Sequence, residues 1–392
     1  MKMNLKLFLL SCFCLSVFVC CRKGEPIIPS TDTDTGTANS GTVKGFFLLN
    51  EGNMGSNKAT LDYYDFETGI YTKNIYAERN PGVVKELGDV GNDIQIYGSK
   101  LYAVINCSHF IEVMDARTAK HIKSVSVPNC RYIVFHDKYA YISSYAGPVQ
   151  IDPNARLGYV AKMDTTDLEI LEECVVGYQP EEMVIVGNKL YVANSGGYRV
   201  PNYDRTVSVI DLNTFTELYK IDVGINLHRM ELDPYGNIWV SSRGDYYNEG
   251  SKTYVIDSKT DKVTDVFPEL PNSNMTICGD SLYVYSTEWS YITNKNTVSY
   301  AIVDTKKKEI VSRNFIKDGT DAAIEVPYGV AVNPDTREIF VTDAKNYVTP
   351  GTLYCFGPDG KKRWSVTTGD IPAHIVFTHT KLSELNELSV AE

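Results

Sequence analysis

The sequence predicts an all-β fold, a ring of seven four-stranded antiparallel sheets known as a seven-bladed β-propeller. Three observations predict it. A strand–turn–strand unit occurs six times, each copy is followed by a third strand that ends at a turn, and the two chain ends supply the halves of one further unit. Each unit is about 48 residues long, which is within the range of propeller repeats.

The repeated unit starts with two strands joined by a tight turn, as in "DIQIYGSKLYAVIN" and "EMVIVGNKLYVANS". Apolar and polar residues alternate in these runs, as expected for strands that pack sheet on sheet. The six copies begin at Asp93, Tyr132, Glu182, Arg229, Asn274 and Gly329.

The third strand of most units ends in an aspartate, as in "VSVIDLNT". An aspartate that opens a turn accepts hydrogen bonds from the backbone two residues further on. Because one occurs in nearly every unit, we interpret them as turn residues and not as catalytic acids or metal ligands. They are Asp65, Asp115, Asp164, Asp211, Asp257 and Asp304.

The first unit lacks its first strand, since "GFFLLNEG" reads as a second strand and "TLDYYDFETG" as a third. The missing strand is predicted at the other chain end, in Ala373–His379. Pairing the N- and C-terminal strands closes the ring and leaves no innermost edge unpaired. The propeller is therefore predicted over residues 45–381, followed by a polar tail at 382–392.

The amino terminus predicts export. Lys2 and Lys6 precede an apolar run that is too short to span a bilayer but suits a secretory signal. The run ends at Cys20 and Cys21, so residues 1–20 resemble a bacterial lipoprotein signal with Cys21 (or Cys20) as the lipid anchor. An ordinary cleaved signal is the alternative. Residues 21–44 have the composition of a flexible spacer.

Composition narrows the class of partner. Apolar residues make up 43% of the chain, which can supply a sizeable core, and the formal net charge of -11 argues against a nucleic-acid partner. The 27 tyrosines outnumber the 14 phenylalanines, a bias that strands and binding surfaces both favour.

The two faces of the predicted ring differ. The turns between strands one and two and between three and four are uniformly tight, whereas the loops between strands two and three run to "SYAGPVQIDPNARLG" and "NSGGYRVPNYDR". Connections between units lie on this second face, which we call the long-loop face; the other is the tight-turn face. The fold itself treats both faces alike, so long loops on one face predict that function lies there.

The long-loop face carries aromatic rings interleaved with arginine and asparagine, a chemistry that suits a ligand with amides or phosphate. The alternative is that tyrosine and asparagine are simply common loop residues in secreted β-proteins. The predicted ligand-binding residues are Tyr145, Asn194, Tyr198, Arg199, Tyr203, Arg205, Arg243, Tyr246, Tyr247, Trp289, Tyr291 and Tyr347.

A second candidate group lies near the predicted axis of the ring. His228 and His374 are the only histidines expected to meet there, and such a group binds a metal or a carboxylate, or merely lines a wet central channel. No HExxH or GxSxG motif occurs in the sequence, so we predict a non-enzymatic protein with no cofactor and no bound metal. The predicted channel residues are Arg131, Glu182, His228, Arg229 and His374.

Five cysteines lie beyond the anchor, an odd number for an oxidising compartment, so at least one is expected to be free. Cys107 ends one strand and Cys130 begins the next unit on the same face. This pair can form a disulfide if the two Cα atoms lie within about 7 Å.

The motifs also carry a family resemblance. "LYVAN" and "VSVIDLNT" resemble YVTN-type propellers, and "FFLLNEGNMGSNKATLDYYDFETG" is similar to propeller lipoproteins of Bacteroidetes, most of all to the BtuG-type proteins. That resemblance implies a lipoprotein held at the outer membrane by its lipid anchor alone and exposed at the cell surface. It also implies cobalamin (vitamin B12) as the carried ligand and a TonB-dependent transporter as the partner. A glycan or other nutrient, or a propeller hydrolase or lactonase activity, are the alternatives.

Overall fold

The computed structural model describes residues 43–83, 87–290 and 295–383. The predicted signal segment, both candidate anchor cysteines, most of the spacer and Tyr291 lie outside the described residues. The start of the predicted tail is described: Leu382 is buried, and its amide nitrogen lies 3.3 Å from the Tyr63 hydroxyl. No helix of the described part is long and apolar enough to cross a membrane.

The described residues form seven four-stranded antiparallel sheets, which we number as blades in chain order. Blade one combines β1 (Gly45–Asn50), β2 (Thr60–Asp65) and β3 (Tyr71–Thr72) with the last strand, β28 (Pro372–Thr378). Blade two contains β4 (Gly91–Tyr97), β5 (Lys100–Ile105), β6 (Phe110–Asp115) and β7 (His121–Ser126). Blade three contains β8 (Cys130–His136), β9 (Tyr139–Ser144), β10 (Tyr159–Asp164) and β11 (Ile170–Val175).

The remaining four blades repeat this arrangement. Blade four contains β12 (Pro180–Val186), β13 (Lys189–Asn194), β14 (Thr206–Asp211) and β15 (Thr216–Asp222). Blade five contains β16 (Leu227–Leu232), β17 (Asn237–Ser242), β18 (Lys252–Asp257) and β19 (Lys262–Phe267). Blade six contains β20 (Asn274–Cys278), β21 (Ser281–Ser290), β22 (Lys295–Asp304) and β23 (Glu309–Ser312). Blade seven contains β24 (Pro327–Val332), β25 (Ile339–Asp343), β26 (Pro350–Phe356) and β27 (Lys362–Asp370).

The blades form a closed ring, so the predicted seven-bladed β-propeller is confirmed. The first strands contact one another in the order β28, β4, β8, β12, β16, β20, β24 and back to β28. Closure occurs inside blade one, where β1 pairs with β28 and Phe46 lies opposite Phe377. A short helix, α1 (Ile75–Arg79), and a 3-10 helix (Thr320–Ala323) lie in connections between blades.

Packing between neighbouring blades explains the apolar pattern. In blade four, β13 is buried along nearly its whole length because blades three and five cover its two sides. Tyr191 of that strand packs in one cluster with Ile238 and Ile256 of blade five. The fourth strand lies at the outside of the ring, so β7 is mostly exposed and more polar.

The predicted turn role of the repeated aspartates is confirmed. Asp211 accepts hydrogen bonds from the amides of Asn213 (2.7 Å) and Thr214 (3.2 Å), and Asp257 accepts one from the amide of Lys259 (2.8 Å). These turns lie on the tight-turn face, where they close the hairpins between strands three and four.

One sequence expectation differs from the structure, and one question that the sequence left open is answered. Most of the segment expected as a loop in blade six is strand, because β21 and β22 continue to pair as far as Ser290 opposite Lys295. Thr287 and Trp289 both favour strand structure, which is compatible with this extension. Cys107 and Cys130 are both free thiols, so the disulfide left open by the sequence is absent from the described residues.

Candidate functional site

The long-loop face contains an open cavity of about 650 Å³ at blades five, six and seven. Its rim carries four exposed aromatic rings, and its floor carries one histidine and two arginines of blade five. The aromatic lining consists of Tyr246, Tyr247, Tyr285, Trp289, Tyr328 and Tyr347, and the floor includes His228, Arg229 and Arg243.

The rim rings are held outward by loop geometry. Asp245 accepts hydrogen bonds from the amides of Tyr247 (2.8 Å), Asn248 (2.7 Å) and Glu249 (2.8 Å), and these bonds lower the pKa of Asp245. Gly244 has a φ of +66°, and a Cβ there would lie 1.9 Å from the Glu249 carbonyl oxygen, so the turn requires glycine. The side chains at 246 and 247 are therefore 55% and 77% exposed.

The other two rim rings come from blades six and seven. Trp289 lies near the end of the extended β21–β22 hairpin and is 52% exposed. Tyr347 follows β25 and is 39% exposed, with its ring centroid 5.9 Å from that of Tyr328 in an edge-to-face contact. Asn346 accepts hydrogen bonds from the amides of Val348 (3.1 Å) and Thr349 (2.9 Å), which holds this loop in a turn.

A buried ion-pair network supports the floor. Glu181 is completely buried, and its carboxylate accepts from Arg131 (2.9 and 3.0 Å), from Arg243 (3.2 Å) and from the Tyr145 hydroxyl (2.5 Å). Burial raises the pKa of a carboxyl, but the two guanidiniums outweigh it here and leave the pKa of Glu181 lowered. One carboxylate is thus the ion-pair partner of two arginines.

Sequence reasoning missed Glu181 and selected its neighbour Glu182. A β-bulge between Pro180 and Met183 interrupts the pairing of β12 with β13 at this point. Because a bulge adds one residue to the strand, alternation along "PEEMVIV" does not tell which of the two glutamates turns into the protein.

The predicted channel residues lie near the axis but divide into separate pairs. His228 contacts the Tyr132 hydroxyl (3.0 Å), and burial followed by the charge of Arg243 holds the pKa of this histidine well below its usual range. His374 instead lies 3.5 Å from Glu51. Two expected neighbours do contact each other, since Arg229 lies 3.5 Å from Glu182.

The structure brings five predicted ligand-binding residues to one cavity and places six others elsewhere, while Tyr291 lies outside the described residues. Tyr145 and Asn194 are buried, the latter with its amide bonded to Ser208 inside blade four. Arg199 stacks on the Tyr178 ring, with 3.5 Å between the guanidinium carbon and the ring centroid. The five that line the cavity are Arg243, Tyr246, Tyr247, Trp289 and Tyr347.

The remaining blade-four residues lie beside this cavity and not in its lining. Tyr198 is half-buried, and its ring packs edge-on to Tyr145 with 6.1 Å between centroids. Tyr203 is half-buried, and Arg205 is exposed and paired with Asp222 at 2.6 Å. The aromatic rings that line the cavity therefore come from blades five to seven, and none comes from blade four.

A second cavity, of about 400 Å³, opens on the tight-turn face and is lined by Asp93, Glu182 and Glu231. Arg229 lines both cavities, so its side chain lies between them. Burial is the first cause that raises the pKa of Glu182 to about 7 and that of Glu231 to about 8. Neutral forms of these acids therefore persist close to neutral pH.

Glu231→Gln is expected to flatten the dependence of stability on pH. The pKa of Glu231 is higher in the folded protein than in the unfolded chain, so its contribution is fully present below about pH 4 and is lost as pH rises through about 8. We expect wild type to lose about 3–4 kcal/mol more than the variant between pH 5 and pH 8.5 in urea unfolding. The exposed Glu309→Gln should follow wild type; identical slopes for all three proteins would contradict the assignment.

The described residues contain no group of three or more His, Cys, Asp or Glu that could hold a metal ion. One arrangement on the outer side of blade two contains serine, histidine and glutamate, but not as a catalytic triad. Ser124 donates to Glu112 (2.6 Å), and His121 contacts the same carboxylate (2.5 Å). The serine hydroxyl therefore has the glutamate as its partner and not the imidazole that would activate it.

The fold and the cavity define a seven-bladed β-propeller with an aromatic-rimmed cavity on its long-loop face. The chain belongs to the family described as "Domain of unknown function (DUF5074)", whose model matches residues 44–364. No curated protein matches the chain.

Solved structures resemble the chain in fold. A quinoprotein alcohol dehydrogenase-like protein from Bacteroides thetaiotaomicron is 16% identical, with a TM-score of 0.60 over 87% of this chain and 80% of that one. A hypothetical selenium-binding protein from Sulfolobus tokodaii is 12% identical, with a TM-score of 0.61 over 87% and 95%. Hydrazine synthase from Kuenenia stuttgartiensis is 16% identical, with a TM-score of 0.55 over 69% and 77%. At such identities the similarity shows the fold alone, and the neighbours include enzymes.

Proposed function

We propose that the protein is a non-enzymatic binding protein that captures a nutrient, cobalamin in the first instance, in the cavity of the long-loop face. The observation that carries the proposal is the set of exposed rings at 246, 247, 289 and 347 around one cavity of about 650 Å³. Rings fixed in this way provide rigid contact area at low entropic cost.

Cobalamin suits this surface because it is broad and chemically mixed. Its corrin ring offers an extended face to aromatic side chains, its amide arms need donors and acceptors, and its nucleotide loop carries a phosphate. The cavity wall supplies Ser251, Asn296 and Thr297 as polar groups. We propose that part of the ligand rests in the cavity while the remainder stays above the rim.

The proposal extends to location and partner. A lipid anchor at Cys21 or Cys20 would hold the propeller at the outer membrane surface through the spacer 21–44. The bound nutrient would then pass to a TonB-dependent transporter. The support here is the residue pattern of the amino terminus and the resemblance to cell-surface propeller lipoproteins.

A glycan is the second candidate ligand, favoured by the same exposed rings, because sugar faces stack on aromatic side chains. A hydrolase or lactonase activity is less well supported. His228 has the Tyr132 hydroxyl as its partner and His374 has Glu51, so neither histidine has a serine or cysteine as its hydrogen-bond partner in the described residues.

Calorimetric titration tests the proposed function. Protein lacking residues 1–21 is titrated with cyanocobalamin and, in parallel, with a panel of glycans. Saturable binding of cyanocobalamin at micromolar concentration or below supports the proposal. Absence of heat with cyanocobalamin together with binding of a glycan would replace cobalamin by the second candidate.

The anchor is tested by replacing both Cys20 and Cys21 with alanine. We expect the variant to move from the membrane fraction to the soluble fraction, because the lipid chain is the proposed attachment to the membrane. The net charge of -11 gives the protein no electrostatic attraction to the bilayer. Fractionation is repeated in cells without the transporter, to separate a lipid anchor from retention by a partner. Membrane association that is unchanged in both strains would refute the anchor.

A further inference from the structure

We propose that the cavity floor recognises an anionic oxygen group of the ligand, of the phosphodiester or carboxylate type, through Arg243 with support from Arg229. The inference rests on the proposed function, since it names the chemistry of the ligand group that enters deepest. It follows from the balance of charges under the cavity and from unused donors on both arginines.

The ion-pair network below the floor carries an excess positive charge. Glu181 is the shared carboxylate of Arg131 and Arg243, at 2.9 and 3.2 Å, so one negative charge faces two positive ones. Both oxygens of Glu181 are engaged, since one accepts from Arg131 and the other from Arg243 and Tyr145. The surplus charge needs a counterion, and a ligand anion is the natural one.

Arg243 is the arginine of this network that lines the cavity, and its side chain is 26% exposed. Its one side-chain hydrogen bond within the described residues is the 3.2 Å contact with Glu181. A guanidinium has five N–H donors in a rigid fork, so most of them remain for water or a ligand.

Arg229 provides a second, independent observation. It is 93% buried, and its Nε has no hydrogen-bond partner among the described residues, while its Nη1 lies 3.5 Å from Glu182. A buried N–H without a partner is costly, and a ligand oxygen that reached it would remove that cost. Arg229 lines this cavity together with Arg243, so its guanidinium belongs to the same floor.

Three carboxylates near the cavity have partners of their own. Glu249 pairs with Lys252 at 2.8 Å, so a cation offsets its charge. Glu288 accepts from the Ser251 amide at 3.3 Å, and Glu51 accepts from the Tyr328 hydroxyl at 2.8 Å and faces His374. The anion site is therefore assigned to the two arginines of the floor and not to the cavity as a whole.

The test compares two corrinoids, cyanocobalamin and dicyanocobinamide, which lacks the phosphodiester and the nucleotide. Arg243→Gln is expected to weaken cyanocobalamin binding about tenfold or more, because a charge-assisted hydrogen bond is lost, and to weaken cobinamide binding much less, because cobinamide lacks the phosphodiester. Arg243→Lys keeps the charge and should recover part of the affinity. Arg363→Gln removes an ion-paired arginine in β27, away from the cavity, as the matched control.

A third probe is independent of corrinoids. Millimolar inorganic phosphate should raise the thermal midpoint of wild type relative to sodium chloride at equal ionic strength, and should not do so for Arg243→Gln. The variants' midpoints without ligand show whether they are folded.

The outcomes separate the two proposals. If both corrinoids bind and Arg243→Gln weakens them equally, the anion assignment is overturned while the proposed function stands. If neither corrinoid binds, cobalamin capture fails, and the phosphate result alone decides the anion site. No phosphate effect on wild type would then overturn it.

Discussion

Replacing Glu181 with glutamine is expected to lower the free energy of unfolding by about 3–5 kcal/mol, because the change leaves the buried charges of Arg131 and Arg243 without their shared carboxylate. The side chain of Glu181 is completely buried, so water cannot replace the lost charge. The measurement is urea unfolding at pH 7, compared with wild type.

The neighbouring residue provides the matched control. Glu182 has a side chain that is 25% exposed, its distance to Arg229 is 3.5 Å, and its pKa is raised to about 7, so it is only partly charged at that pH. Glu182→Gln is therefore expected to cost less than about 1 kcal/mol. Equal losses for the two variants would contradict the assignment of Glu181 as the central carboxylate.

Replacing Trp289 with alanine is expected to weaken binding of the captured ligand about thirtyfold, equivalent to about 2 kcal/mol, because a large ring that the bound ligand covers supplies much of the binding energy. The free protein leaves this side chain 52% exposed, so its removal should change the thermal midpoint little. Calorimetric titration with cyanocobalamin measures the first effect and a thermal scan the second.

Controls on both faces locate the effect. Asn213→Ala and Lys259→Ala alter turns of the tight-turn face and should leave affinity unchanged. Tyr203→Ala alters a ring on the long-loop face outside the cavity lining, so we expect a smaller loss than for Trp289→Ala. Loss of binding in the tight-turn variants with normal binding in Trp289→Ala would place the site on the other face.

The repeat pattern alone predicts much of the architecture. Strand order within a unit, the turn role of residues such as Asp211, and closure of the ring by the strand near His374 all follow from local signals that occur several times. Repetition makes these signals reliable, because each blade must bury the same faces against its neighbours. The asymmetry between long loops and tight turns also follows from the order of strands.

Individual site residues were predictable only in part, and the reason is geometric. Exposed rings such as Tyr246 and Trp289 were identified because long loops of a propeller must lie at its surface. The same long loops predict Asn194 and Tyr145 at this surface, yet both are buried. Position along the chain does not tell whether a strand-end side chain turns outward or into the next blade.

The seven blades, the pairing of the two chain ends and the face that carries the long loops are all encoded in local patterns, because strand periodicity and turn chemistry recur in every unit. The blades that enclose the cavity, and the glutamate that joins Arg131 to Arg243, became known from the folded structure alone. Both features depend on a bulge in β12 and on contacts of Glu181 with two arginines that are 50 residues before it and 62 residues after it in the chain. No local sequence pattern encodes contacts at such separations.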